Sequence, residues 1–133
     1  MTDCGGVCPP CSTDPNPVFS FLTVSVNGKS VYFGDYTLEK SSVWTLQFKN
    51  DSIDVKLNLG GGDSLGERPI ESVGSSGEYR QLNYPVLYSG RSVFSEVNQE
   101  DNRLSAYFQA KFIAVNGIDT LFLSDGEFQN ISW

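Results

Sequence analysis

The chain of 133 residues is the size of one domain, and its 39% hydrophobic and 13% aromatic content is that of a packed core rather than a disordered segment. Its formal charge of −7, with nine Lys+Arg scattered among sixteen Asp+Glu, opposes binding to a phosphate backbone, so no nucleic-acid partner is expected. The absence of histidine closes Ser-His-Asp and Cys-His catalysis, His-ligated zinc and imidazole base chemistry together.

Residues 1–17, MTDCGGVCPPCSTDPNP, hold four of the six prolines and every cysteine. They read as a flexible Cys/Pro-rich arm ahead of a single domain over residues 18–133. The C-x3-C-x2-C spacing of Cys4, Cys8 and Cys11 is that of a radical S-adenosylmethionine cluster loop, but such a cluster needs a large α/β barrel behind it. A zinc site would need a fourth ligand other than histidine, and a redox CxxC would need a βαβ setting. Cys8 and Cys11, around Pro9-Pro10, fit a disulfide better, either within the arm or across two chains of an oligomer. No run reaches the roughly 18 apolar residues of a spanning helix, and no basic segment followed by an apolar one precedes Cys4. The chain is expected either to be cytosolic at synthesis or to have had a signal segment ahead of Met1.

Strand signals begin at Val18. The run to Val26, the turn Asn27-Gly28 and the run Lys29 to Phe33 predict a hairpin, because Asn-Gly accepts the positive φ angles of a type I′ turn. Tyr36 to Ser42 reads as a turn at most. Trp44, Leu46 and Phe48 alternate with polar residues, as do Ile53, Val55, Leu57 and Leu59, with Asn50-Asp51 between the two strands. Six glycines and a proline between Gly60 and Gly77 predict a long excursion with one short irregular strand. Strands are expected again at Glu78 to Leu82, Pro85 to Tyr88 and Arg91 to Val97, followed by the polar turn Asn98 to Asn102. The longest alternation, Arg103 to Val115, leads through Asn116-Gly117 into Ile118 to Leu123, and through Asp125-Gly126 into Glu127 to Trp133. The sum is an all-β chain of eight or nine antiparallel strands, a β-sandwich or flattened barrel ending in a three-stranded meander.

The stretches SVNGKSVYF, GEYRQLNYPVLY and RLSAYFQAKFIAVNGIDTLFLSDGEFQNISW together resemble a family of uncharacterised lipoprotein domains from Bacteroidetes. The matching positions are Asn27, Gly28 and Lys29, then Gly77 and Tyr79, then Asp125, Gly126 and Phe128. The resemblance covers residues 18–133 and implies a secreted β-sandwich tethered by lipid on a cysteine, with no catalytic residue to carry over. It implies Cys4 as the lipid anchor, although Asp3 stands where a lipobox has a small apolar residue. The triplets Asp51-Ser52-Ile53, Asp63-Ser64-Leu65 and Asp119-Thr120-Leu121 resemble the acceptor for O-glycosylation in the same phylum.

Among candidate sites, the turn residues Asn27, Gly28, Asn116, Gly117, Asp125 and Gly126 have structural roles through positive φ and turn hydrogen bonds. Oxygen ligands for calcium are dense at Asp63 and at Glu100-Asp101, though spaced unlike an EF-hand loop. Carboxylate pairs could serve a glycosidase without histidine, but most lie in turns or on a wet strand face. The six tyrosines and Trp133 exceed what a core of Phe and Leu needs, and aromatic platforms are what a carbohydrate-binding surface uses. Tyr107, Tyr88 and Trp133 are the candidates, with Tyr107 placed opposite the apolar face of its strand. No cofactor is expected. The function expected is a non-enzymatic accessory or binding lipoprotein of the cell envelope, with an unidentified protein or glycan partner. One alternative is a structural or interaction protein, such as a virion decoration or fibre component. The other is a small carbohydrate-binding module.

Overall fold

The computed structural model describes residues 20–133 and folds them into eleven strands without a helix. They are β1 (Phe21–Val26), β2 (Lys29–Phe33), β3 (Asp35–Lys40), β4 (Trp44–Lys49), β5 (Ile53–Asn58) and β6 (Gly66–Pro69). Then come β7 (Glu71–Tyr79), β8 (Leu82–Tyr84), β9 (Val86–Asn98), β10 (Arg103–Ile113) and β11 (Thr120–Ser132). Two antiparallel sheets form a sandwich that does not close into a barrel. The six-stranded sheet runs β2-β1-β11-β10-β9-β6 and the five-stranded sheet β3-β4-β5-β7-β8.

Alternation decides which residues lie between the sheets. Trp44, Leu46 and Phe48 of β4, and Ile53, Val55 and Leu57 of β5, are buried, while their neighbours face out. Leu104, Ala106, Phe108, Ala110 and Phe112 do the same on β10. Phe48 joins the layers, with its ring 4.8 Å from Phe33 of β2 and 5.7 Å from Phe108 of β10. Each of the larger buried side chains, the Leu, Ile, Val and Phe, contributes about 1.5–3 kcal/mol through area removed from water.

The Asn27-Gly28 turn forms as the sequence predicts, with φ of 50° and 88°. Its tip is also held from outside: the Asn27 amide donates to the Phe122 carbonyl at 2.8 Å, and its Oδ1 accepts the Phe122 amide at 2.9 Å. In the Asn116-Gly117 turn, Asn116 Oδ1 accepts from the amides of Ile118 and Asp119, and Gly117 has φ of 74°. That turn runs on through Asp119, so β11 starts at Thr120 rather than at Ile118.

Five expectations are corrected. Glu78 to Leu82 is not one strand: Arg80 and Gln81, at φ of 52° and 69°, form the turn between β7 and β8. Tyr36 to Ser42 is largely strand: β3 pairs with β4 over its full length, and Leu38 is buried opposite Leu46. The glycine-rich excursion holds β6 and most of β7. The two strands belong to different sheets, and the chain changes layer at Ile70, whose amide donates to the Gly90 carbonyl. Ser89-Gly90 does not break β9, which continues through both residues opposite β10.

Asp125-Gly126 is a β-bulge inside β11, not a turn. The pairing steps from Thr23 opposite Glu127 to Ser25 opposite Ser124, so β11 carries one extra residue there, Asp125, at φ 51°. A second bulge lies at Asn130, φ 55°, between the pairs Ala106 with Phe128 and Leu104 with Ile131. The C-terminal meander therefore consists of β9, β10 and β11, in which the last strand is a single bulged one.

Candidate functional site, an aromatic groove on the six-stranded sheet

Side chains that pair across strands share a face, so the register gives a continuous row on the outer surface of the six-stranded sheet. Tyr32 of β2 pairs with Thr23 of β1, Thr23 with Glu127 of β11, and Glu127 with Tyr107 of β10. Tyr107 pairs in turn with Val93 of β9, and Val93 with Glu67 of β6. Tyr32 is 66% exposed and Tyr107 46%, while Thr23 and Glu127 between them are half-buried.

A groove of about 360 Å³ opens beside Tyr107, lined also by Arg91, Val93, Gln109, Asp125 and Glu127, with Phe108 and Gly126 beneath. The β11 bulge makes it. The extra residue restores the phase of burial, so that Leu121 and Leu123 before the bulge and Gly126 and Phe128 after it all point inward. Asp125 is thereby left on the outer face at a positive φ, a conformation Asp tolerates better than most residues. Gly126 is required by contact: a Cβ there would lie 2.7 Å from the Phe108 ring and its carbonyl oxygen. Phe108 fills the space that side chain would take and forms the floor.

The polar rim is partly fixed in place. Glu127 Oε2 accepts from Gln129 Nε2 at 3.0 Å, and Arg91 forms an exposed ion pair with Glu67 at 3.1 Å. A ring face to stack on, two carboxylates, an amide and a guanidinium together suit a ligand that has an apolar face and many hydroxyls. Larger recesses on the five-stranded sheet, of about 450 and 530 Å³, have no aromatic lining.

The other predicted residues are distributed differently. Tyr88, 68% exposed, stands at a bulge of β9 opposite Lys111 and Phe112, with Lys111 Nζ 5.0 Å from its ring centre. It is on the same sheet as Tyr107 but outside the groove. Trp133 packs edge-on against Trp44, centroids 4.7 Å apart, and Lys40 lies over both indoles. Its ring closes the end of the core rather than forming a platform. Tyr84 is buried, and Tyr36 and Tyr79 pack against the core.

Asp63 accepts hydrogen bonds from Lys40 at 3.1 Å and Gln99 at 2.6 Å. The Lys40 hydrogen bond foremost, then that of Gln99, holds its carboxyl below the ordinary aspartate value. Asp101 instead closes the β9–β10 turn: its amide donates to Asn98 Oδ1, and its carboxylate accepts from Asn98 Nδ2. Glu100 is exposed on the same turn. Among the described residues no group of three or more Asp, Glu or Cys side chains stands where it could share a metal ion. Ser52, Ser64 and Thr120 of the three acceptor-like triplets are all exposed. Cys4, Cys8 and Cys11 lie outside the described residues.

Sequence reasoning singles out Tyr107 and misses the residues around it. Gln109 was legible as its outward neighbour on β10. Thr23, Arg91, Val93 and Glu127 join it only through strand pairing, and Asp125 only through the bulge. Comparison of the chain with protein-family models, with curated proteins and with solved structures finds no match.

Proposed function

We propose that the chain is a non-enzymatic binding domain acting at the cell envelope, and that it holds a saccharide on the six-stranded sheet at Tyr107. The observation that carries this is the exposed Tyr107 ring in a groove rimmed by Arg91, Gln109, Asp125 and Glu127. Stacking of a sugar's C–H face on an aromatic ring, with hydroxyls hydrogen-bonded to flanking carboxylates and amides, is the recognition chemistry such a groove serves. The test is a glycan array probed with the wild-type domain and with Tyr107→Ala. Binding that disappears in the variant is expected, and a blank array overturns the reading.

The envelope location is supported by the resemblance to lipoprotein domains and by the cysteine-containing arm. Lipid on Cys4 belongs to the same proposal, with a Cys8–Cys11 bridge or an inter-chain bridge beside it. Intact-mass measurement of native material is expected to give a diacyl adduct on Cys4; an unmodified chain beginning at Met1 rules lipidation out.

A second reading, an interaction protein joined through a sheet edge, has one observation in its favour. The edge strand β6 carries Pro69, and β3 carries Asp35, Glu39 and Lys40, all devices that discourage pairing. β2 has only Lys29 at its tip. Light scattering over a concentration series decides it: a dimer supports the reading, and a monomer throughout rejects it.

A further inference from the structure

Tyr107 is one end of a longer feature. Three pairings carry the row from Tyr107 to Glu127, Thr23 and Tyr32, so the backbones of the two tyrosines are about 14 Å apart, three inter-strand spacings of about 4.8 Å. Between them Thr23 is half-buried, and Glu127 is half-buried and accepts a hydrogen bond from Gln129, whereas Tyr32 and Tyr107 are exposed. The row thus has an exposed aromatic residue at each end and a hydroxyl and a carboxylate between them. The charge at the Tyr107 end is acidic, where Asp125 and Glu127 lie and Arg91 is already paired with Glu67, while Lys29 and Arg80 line a recess at the Tyr32 end. An anionic ligand would meet like charge at the Tyr107 end, in a chain whose formal charge is −7.

Resting on the reading of Tyr107 as a saccharide platform, we infer that the ligand is an extended, neutral oligosaccharide lying across the strands from Tyr107 to Tyr32. A monosaccharide covers one ring only. A longer chain reaches both, and the second stacking contact acts at high effective concentration because the first already holds the ligand. Tyr32 is then a specificity residue for chain length rather than for sugar identity.

The experiment uses a ladder of neutral oligosaccharides, from monosaccharide to hexasaccharide, in the cello, manno and malto series. Each is titrated calorimetrically against wild type, Tyr32→Ala and Tyr107→Ala, with thermal melting to verify that both variants fold. In wild type, affinity is expected to rise along one series and level off once the ligand spans both rings. Tyr32→Ala removes roughly tenfold from the long members and leaves the short ones unchanged, whereas Tyr107→Ala weakens every member. Binding that depends on Tyr107 but is flat with length, or that Tyr32→Ala lowers equally for all members, overturns the inference and leaves the saccharide reading standing. Failure of every neutral series to bind, or tighter binding of a uronic-acid series than of the neutral one, overturns the inference; failure of neutral and uronic ladders alike overturns the saccharide reading with it.

Discussion

The two outer faces of the sandwich come from the same strand alternation and differ in everything else. On the five-stranded sheet the outward rows are Thr37-Gln47-Lys56-Ser76 and Asp35-Lys49-Asp54-Glu78-Asn83, a mixed charged and amide surface. Its one exposed large apolar side chain, Val73, sits where β7 bulges away from β5. The six-stranded sheet exposes Tyr32, Val86, Tyr88, Val93, Tyr107 and Phe122. A solvated sheet face has no need of aromatic rings, and contiguous exposed apolar surface rimmed by polar groups marks an interaction site. The five-stranded face offers a ligand no exposed ring, and the face with the rings is where the proposed saccharide is to be sought.

The variant that erases the distinction is Phe108→Ala. Phe108 floors the groove and also touches Phe48 of the opposite sheet, so its removal is expected to cost about 3–5 kcal/mol and unsettle both faces, as read by urea unfolding. Gly126→Ala attacks the same contact from the other side. Its Cβ would collide with the Phe108 ring and with the Phe108 carbonyl oxygen, and a loss of about 1–3 kcal/mol is expected, of which Phe108→Leu in the same chain recovers only the part due to the ring.

Central residues of the two faces give the sharpest contrast. Tyr107→Ala and Lys56→Ala are each expected to alter stability by only about 0.5 kcal/mol, as exposed substitutions do. Only Tyr107→Ala should change saccharide binding; equal effects would dissolve the difference between the faces. Asp125→Gly separates stability from binding on one face. Relief of the positive φ is expected to stabilise by about 1 kcal/mol, while loss of the carboxylate weakens the ligand.

The smallest effect belongs to Asp63, remote from both faces. Its folded-state pKa is lowered, so its contribution is present above the ordinary aspartate value of 3.8 and is lost as pH falls through the lowered folded value. Asp63→Asn is expected to flatten the acid limb of the stability curve slightly and leave neutral stability and binding almost unchanged. A large loss at neutral pH would mean that Lys40 and Gln99 depend on the carboxylate far more than an exposed pair should.

Much of this architecture was legible wherever alternation ran unbroken, as in β4, β5 and β10, and wherever turn chemistry was explicit, as at Asn27-Gly28. It became illegible where the phase slipped. In β11 the inward positions run 121, 123, 126, 128 and 131, and a reader of periodicity sees a break at each slip although the strand is continuous. β3 was hidden for a different reason. An edge strand with one strongly buried residue, Leu38, carries almost no alternating signal. The groove was legible only as Tyr107 and Gln109, because its other rim residues reach it from β9 and β11 through pairing and a bulge; the row beyond it is made by β1 meeting β11, and pairing across a hundred residues leaves no trace in local sequence.

That same pairing sets an order of events. β11 is last of the eleven strands, yet it lies between β1 and β10 in the six-stranded sheet. Until it arrives, β1 and β2 are an isolated two-stranded ribbon, which is marginal in water, while β9 and β10 can already pair locally. Assembly of the Tyr32 to Tyr107 row therefore waits on the slowest kind of contact, one that closes nearly the whole chain. During synthesis β9 and β10 can pair before β11 emerges, and the insertion of β11 both supplies Asp125 and Glu127 to the Tyr107 groove and joins it to the β1–β2 hairpin.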